Sequence, residues 1–118
     1  MKRLISLALL LLAASCVPGT TVPQSFIDAC RAANPEVLFY IHSDGDVSDL
    51  MQDFVDMGFD VVNPLQPECI DPAAVKRRWG DRIALHGGVS LQRTLPFGTV
   101  DDVRREVETL IRTCGYDG

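Results

Sequence analysis

The sequence predicts an α/β fold in which parallel strands alternate with helices, as in part of a (β/α)8 barrel. Three short apolar segments are each followed by polar residues and then by a helical pattern. This alternation implies parallel strands with right-handed crossovers. The 118 residues are far fewer than the roughly 250 of a closed barrel. We therefore predict a partial TIM barrel of about three βα units preceded by a helix.

The individual elements follow from apolar spacing and from residues that start or stop helices. Asp46, Asp71 and Thr99 are predicted to cap the helices that follow them, and Gly58, Gly80 and Gly115 to end them. The predicted elements are a helix at 25–33, a strand at 37–42, a helix from about 47 to 57, a strand at 59–63, a helix at 72–79, a strand at 82–86 and a helix from about 99 to 114.

The first sixteen residues have the pattern of a secretory signal. A positive start at Met1-Lys2-Arg3 precedes an apolar block, and the block ends in Ala13-Ala14-Ser15-Cys16, which resembles a bacterial lipobox. The alternative is an N-terminal helix packed on the domain. We predict a signal peptide at 1–16 with lipidation at Cys16, a linker at 17–24 and the β/α domain at 25–118. The N-terminus thus predicts a periplasmic protein or a membrane lipoprotein.

Charge and cysteine content restrict the remaining classes. The net charge of −5 disfavours binding to nucleic acid, and no basic run favours an anionic membrane surface. We therefore expect membrane attachment only through Cys16. Cys30, Cys69 and Cys114 show no CxxC spacing, so each is predicted to be reduced and buried or half-buried, as in a cytoplasmic protein. The body and the N-terminus therefore favour different compartments.

The candidate site lies where the predicted strands end. His42, Asn63 and His86 occupy the carboxyl ends of the three strands and would share one rim of a barrel. The spacing of His42 and Asp44 allows both to bind one divalent cation, although Asp44 can equally cap the next helix. We rank His42, Asp44 and His86 as catalytic candidates, in that order, and His42 with Asp44 as candidate metal ligands.

Three weaker signals remain open between a functional and a structural role. Cys69 is a soft metal ligand or a buried side chain. The Gly87-Gly88 pair allows a close approach to a ligand or simply makes a tight turn. Arg93 pairs with a substrate carboxylate or is solvated.

Several motifs, in order, resemble the uroporphyrinogen decarboxylase superfamily. The resemblance covers about residues 25–118. It includes residues 94–99 and the helix around 103–107. The motifs are His42-Ser43-Asp44-Gly45-Asp46, Asn63-Pro64-Leu65-Gln66-Pro67 with Asp71-Pro72, Trp79-Gly80-Asp81-Arg82, and His86-Gly87-Gly88.

The resemblance implies the C-terminal part of a TIM barrel with its site at the strand ends. The superfamily includes cofactor-free decarboxylases of porphyrin biosynthesis and cobamide-dependent methyltransferases that use zinc to activate a thiol. The implied partner is a tetrapyrrole carboxylate in the first case, and a thiol and a corrinoid protein in the second. The decarboxylases' N-terminal arginine-rich motif and catalytic aspartate have no counterpart here. Where the methyltransferases have an H-x-C pair, this chain has His42 and Asp44, so aspartate replaces the cysteine. A carboxylate suits zinc less than other divalent metals.

We expect no independent turnover, because much of the implied active site has no counterpart. Two rival interpretations remain: a lipid-anchored module that binds a ligand or metal, and a lipoprotein start joined to an enzyme's tail in a truncated reading frame. Unpaired strand edges would also allow oligomerisation.

Overall fold

The computed structural model describes residues 12–13 and 24–116. The elements are β1 (Leu12–Ala13), α1 (Gln24–Ala33), β2 (Tyr40–His42), a 3-10 turn (Ser48–Leu50), α2 (Met51–Met57), β3 (Val61–Asn63), α3 (Pro72–Trp79), β4 (Ala84–Leu85), α4 (Thr94–Phe97) and α5 (Val100–Cys114).

The strands form one parallel sheet in the order β1-β2-β3-β4. Helices alternate with the strands along the chain, so the predicted α/β architecture of a partial TIM barrel is confirmed. The sequence did not predict β1, because its apolar segment was assigned to a signal peptide. Ala13 of β1 pairs with His42. Cys16 and the predicted linker up to residue 23 lie outside the described residues, and the signal peptide stays a prediction.

The central strands are shorter than predicted at their amino ends. Residues 37–39, 59–60 and 82–83 lie before β2, β3 and β4 rather than within them. For β2 the reason is visible at Asp60, whose carboxylate accepts a hydrogen bond from the Phe39 backbone nitrogen at 2.7 Å. The same carboxylate binds the Arg31 guanidinium at 3.0 Å. Side chains thus replace part of the strand ladder at this end of the sheet.

The core lies between the sheet and the helices. Fourteen apolar residues of the described chain form one buried cluster, and Met51 and Val62 have 0% of their surface exposed. The rings of Phe39, Phe59 and Phe54 meet edge to face within it. Burying a side chain of this size contributes about 1.5–3 kcal/mol to folding, so the cluster fixes the sheet against the helices.

The ends of the helices largely follow the predicted capping residues. Asp71 accepts a hydrogen bond from the Ala73 backbone nitrogen at 2.9 Å, and Thr99 forms a capping box with Asp102. Gly58 ends α2 in the left-handed conformation, at φ 85°. The helix expected from about residue 47 begins instead as a 3-10 turn. Asp46 binds the backbone nitrogen of Ser48, the first residue of that turn, at 2.9 Å.

Candidate functional site

One face of the sheet carries the predicted site residues. Side chains alternate between faces along a strand, and the strand register aligns His42 with Asn63. Ile41 and Val62 point into the core, so Tyr40, His42 and Asn63 belong to the opposite face. That face stays partly or fully exposed at these residues. The predicted convergence of strand ends is confirmed, since the parallel strands bring His42, Asn63 and, just after β4, His86 to the same end.

Asn63 connects the two histidines. Its amide nitrogen donates a hydrogen bond to the His86 backbone oxygen at 3.1 Å, and its amide oxygen lies 2.6 Å from His42 Nδ1. The Asn63 backbone oxygen also accepts a hydrogen bond from the Ser43 nitrogen at 2.9 Å. The end of β3 therefore holds the end of β2 on one side and the segment after β4 on the other.

His86 has a second partner on the same face. The Tyr40 hydroxyl lies 2.5 Å from His86 Nδ1, and the two rings meet at an angle of 73°. Partial burial raises the pKa of the Tyr40 phenol, so the hydroxyl keeps its proton at neutral pH. The apolar pattern of residues 37–42 predicts for Tyr40 only a place in a strand. A tyrosine two residues before a strand-end histidine shares that histidine's face, and this spacing was the missed signal.

His42 Nε2 faces Asp44 across a distance of 3.9 Å. Both side chains are open to solvent, with 44% and 71% of their surfaces exposed. At this distance the carboxylate would attract a protonated imidazole, but water weakens the attraction. Within the described residues Asp44 makes no hydrogen bond to the helix that follows, so its contact with His42 is the one that bears on chemistry.

The predicted metal site lacks enough ligands in the described part of the chain. A zinc site needs at least three protein ligands. Among residues 12–13 and 24–116, no group of three His, Cys, Asp or Glu side chains could hold a metal ion. Nδ1 of His42 is also occupied by Asn63. His42 and Asp44 alone therefore do not fit zinc.

The glycine pair after β4 allows two backbone segments to approach closely. A side-chain carbon at Gly87 would lie 2.0 Å from the Pro64 carbonyl oxygen, and Gly87 has a φ of 107°. Gly88 donates its backbone hydrogen bond to that same oxygen at 3.0 Å. Only glycine permits this contact. Of the two interpretations of the pair, the structure supports the tight turn.

Ser90 is the centre of a second group of hydrogen bonds at the same rim. The Ser90 hydroxyl donates a hydrogen bond to Glu68, and its backbone nitrogen donates to Glu106 at 2.9 Å. The bond from Ser90 lowers the pKa of the Glu68 carboxyl from its ordinary value. Arg93 lies 3.9 Å from Glu68 and is 72% exposed, so its nearest charged group is this carboxylate. The cluster anchors the loop between β4 and α4.

The other described features lie apart from this rim. A cavity of about 300 Å³ opens beside β4 and is lined by Asp60, Lys76, Arg82 and Cys114 among others, none of which belongs to the histidine cluster. Cys69 is exposed, which contradicts the predicted burial, because it lies on the surface turn before α3. Within the described residues, no helix has the length and apolarity needed to cross a membrane.

Comparison with known protein families decides the assignment. The family model for uroporphyrinogen decarboxylase matches residues 20–118. This chain belongs to the uroporphyrinogen decarboxylase family. Comparison with curated proteins and with solved structures gives no significant match. The family match covers the described sheet from β2 to β4, and with it the cluster of His42, Asn63 and His86.

Membership of the uroporphyrinogen decarboxylase family agrees with the parallel β/α architecture and the predicted resemblance. It gives no role to an individual side chain, so His42, Asp44 and His86 stay predicted site residues. The structure adds a series of hydrogen bonds that runs from Tyr40 to His86, from His86 to Asn63 and from Asn63 to His42. This series links three neighbouring strands on the open face.

Proposed function

We propose that this chain is a uroporphyrinogen decarboxylase-type domain whose parent reaction is the decarboxylation of a carboxylated tetrapyrrole, with His42 as its proton-transfer group. The observation that best supports this proposal is the position of the His42 imidazole, which is exposed at the end of β2. Its Nδ1 is hydrogen-bonded to Asn63, and its Nε2 faces Asp44. An exposed imidazole held in this way can act as a general acid or a general base.

The reaction needs one proton for each carboxylate lost. The side-chain carboxylate leaves as carbon dioxide, the bonding electrons stay on the neighbouring carbon, and a proton on that carbon completes a methyl group. An imidazolium at His42 can supply that proton from Nε2. The nearby carboxylate of Asp44 would stabilise the positive charge before the transfer. These steps require only side chains of this chain and the substrate.

We expect the isolated chain to bind a tetrapyrrole but not to turn it over. A substrate with several carboxylates needs cationic partners, and arginine is the usual one. In the described part of the chain, no arginine makes a hydrogen bond or ion pair with His42, Asn63 or His86. The chain thus offers a proton-transfer group that can contact the substrate, without the arginines that would orient the reacting carboxylate for turnover.

Binding is tested with uroporphyrin, the stable oxidised form of the substrate, titrated into the full 118-residue chain and followed by its fluorescence. We expect saturable binding that His42→Ala weakens several-fold. Asp44→Asn should strengthen binding, since it removes a negative charge beside the site. Asp49→Asn, which makes the same charge change on the 3-10 turn, is the matched control and should have little effect. Absence of saturable uroporphyrin binding would reject the tetrapyrrole assignment.

Turnover is tested separately with chemically reduced uroporphyrinogen under anaerobic conditions. Products are oxidised and separated by the number of carboxylates they retain. We expect the wild-type chain to match His42→Ala. Decarboxylation above that background would overturn the expected inactivity. The methyl-transfer alternative is less well supported, because His42 and Asp44 have no third metal ligand in the described residues.

A second candidate function rests on the Ala13-Ala14-Ser15-Cys16 segment. We propose as the alternative a lipid-anchored module that binds a ligand or metal outside the cytoplasm. Labelling with radioactive palmitate in a bacterial host tests the anchor, with Cys16→Ser as the control. Label in the wild type that is lost in the variant would support membrane attachment, and an unlabelled chain in the cytoplasm would contradict it.

A further inference from the structure

The orientation of the Asn63 side-chain amide is determined by its neighbours. The His86 backbone oxygen can only accept a hydrogen bond, so the Asn63 group 3.1 Å away must be the amide nitrogen. The amide oxygen therefore points to His42. Backbone bonding from Ser43 to the Asn63 carbonyl keeps the two strand ends in this register.

This orientation determines which nitrogen of His42 carries the proton. An amide oxygen accepts hydrogen bonds and donates none, so His42 Nδ1, at 2.6 Å, must be the donor. In a neutral imidazole one nitrogen is the donor and the other the acceptor. Nε2 is then left with its lone pair directed to the open side of the rim, toward Asp44.

We propose that Asn63 is a positioning residue that keeps a proton on His42 Nδ1, so that Nε2 alone exchanges protons at this rim. The reacting group of the substrate must then approach from the Nε2 side of the ring, which faces Asp44. The chemical use of this arrangement rests on the proposed function, whereas the tautomer itself does not.

His86 provides an internal comparison. Its Nδ1 lies 2.5 Å from the Tyr40 hydroxyl. A phenol is a better proton donor than a neutral imidazole, so the hydroxyl donates to Nδ1 and the His86 proton lies on Nε2. The two histidines of the chain are therefore expected in opposite tautomers. Their different partners, an amide oxygen and a phenol, are the cause.

The test is nitrogen NMR of the full chain labelled with nitrogen-15 histidine, at a pH where both rings are neutral. The chain has two histidines, so His42→Gln and His86→Gln assign both sets of signals. For the wild type we expect a proton-bearing Nδ1 and a pyridine-like Nε2 at His42, with the reverse at His86. A proton on Nε2 of wild-type His42 overturns the proposal without any variant.

Three variants separate the role of Asn63 from general effects on folding. A neutral hydrogen bond of ordinary net strength shifts such an equilibrium roughly five-fold, so Asn63→Ala should lower the ratio of Nδ1-protonated to Nε2-protonated His42 by about this factor. Asn63→Asp keeps an acceptor oxygen of the same size and should keep the proton on Nδ1. Tyr40→Phe should change His86 and leave His42 unchanged. A shift of the His42 tautomer in Tyr40→Phe, or none in a folded Asn63→Ala, would contradict the proposal.

The NMR result and the uroporphyrin result are independent. If the wild-type chain does not bind uroporphyrin but His42 has the predicted tautomer, the proposed substrate is rejected and the role of Asn63 is kept. The predicted binding with the opposite tautomer at His42 would reject the positioning role and leave the substrate assignment in place.

Discussion

At the scale of single residues, Ser90 has more polar contacts than any residue of the histidine cluster. Its hydroxyl donates to Glu68 and accepts from the backbone nitrogens of Arg93 and Thr94 at 3.0 and 3.2 Å. The Glu68 side chain is only 11% exposed. A buried carboxylate that loses a donor is costly, because little water can replace the hydrogen bond. Ser90 therefore stabilises this part of the rim.

We predict that Ser90→Ala lowers the free energy of unfolding by about 1.5–3 kcal/mol at neutral pH, the usual worth of a hydrogen bond to a charged group. The Ser90 bond lowers the pKa of Glu68 below its ordinary value of 4.5. Its stabilisation is therefore complete above about pH 4.5 and is lost as the pH falls through the lowered pKa. Urea unfolding across this pH range should show wild type and variant converging in acid.

Ser48→Ala is the matched control for Ser90→Ala. The Ser48 hydroxyl also bonds a carboxylate, that of Asp46, at 2.5 Å, but both residues are exposed. Water can replace this bond, so the loss should be clearly smaller than at Ser90. Equal losses for the two variants, or a Ser90→Ala difference that grows in acid, would contradict the explanation.

The sequence located the residues of the candidate site but not their bonds. His42, Asn63 and His86 were found because each follows an apolar strand pattern. The bond from Asn63 to His42 depends on the register of β2 against β3, which no local pattern encodes. Tyr40 was missed for a related reason. Its aromatic ring suits a buried strand, and only the pairing of β2, β3 and β4 shows that its hydroxyl reaches His86.

At the scale of helices and strands, α1, α3 and α5 begin and end within about one residue of their predicted positions. Caps and apolar stripes are local signals, so the sequence contains them. The strands were overestimated, because an apolar run marks burial rather than ladder pairing. The sequence predicts a loop where the four-residue α4 lies, since a short segment around Pro96 has no helical period to detect.

The junction between the 3-10 turn and α2 provides a sharp test of core packing. Met51 is fully buried, whereas its neighbour Leu50 is 43% exposed. We predict that Met51→Ala lowers the free energy of unfolding by about 2–5 kcal/mol, since it leaves a cavity in close-packed surroundings. Chemical denaturation monitored by circular dichroism measures the loss.

Leu50→Ala is the control, with a similar side-chain truncation one residue away. Much of the Leu50 side chain already contacts water, so we expect a loss well below that of Met51→Ala. If Leu50→Ala were the more destabilising change, the described register of this helix against the sheet would be wrong.

At the scale of the whole molecule, the helices α4 and α5 expose an apolar surface. Among the described residues, its most exposed members are Phe97 at 85%, Val100 at 76% and Ile111 at 65%. Val100 and Ile111 share one face of α5, because their spacing is close to three helical turns, and Phe97 ends the helix just before it. Exposed apolar side chains on one helix face are typical of contact surfaces. The α5 helix also has Asp101 in its first turn and Arg112 in its last. Two such helices packed antiparallel would bring opposite charges and opposite helix dipoles together.

We therefore predict that the chain self-associates through this surface, with a second copy as the occupant. Size-exclusion chromatography with light scattering should show a mass that rises with concentration from 12.9 kDa toward twice that value.

Phe97→Ser should weaken the dimer at least about ten-fold, since burying a phenylalanine contributes about 1.5–3 kcal/mol. Leu38→Ser removes a 53% exposed apolar side chain before β2 and should leave the dimer unchanged. Arg112→Glu should also weaken the dimer, and more so at low salt, because it replaces an attraction between opposite charges by a repulsion. A monomer at every concentration, or a dimer that only Leu38→Ser disrupts, would place the contact elsewhere or remove it.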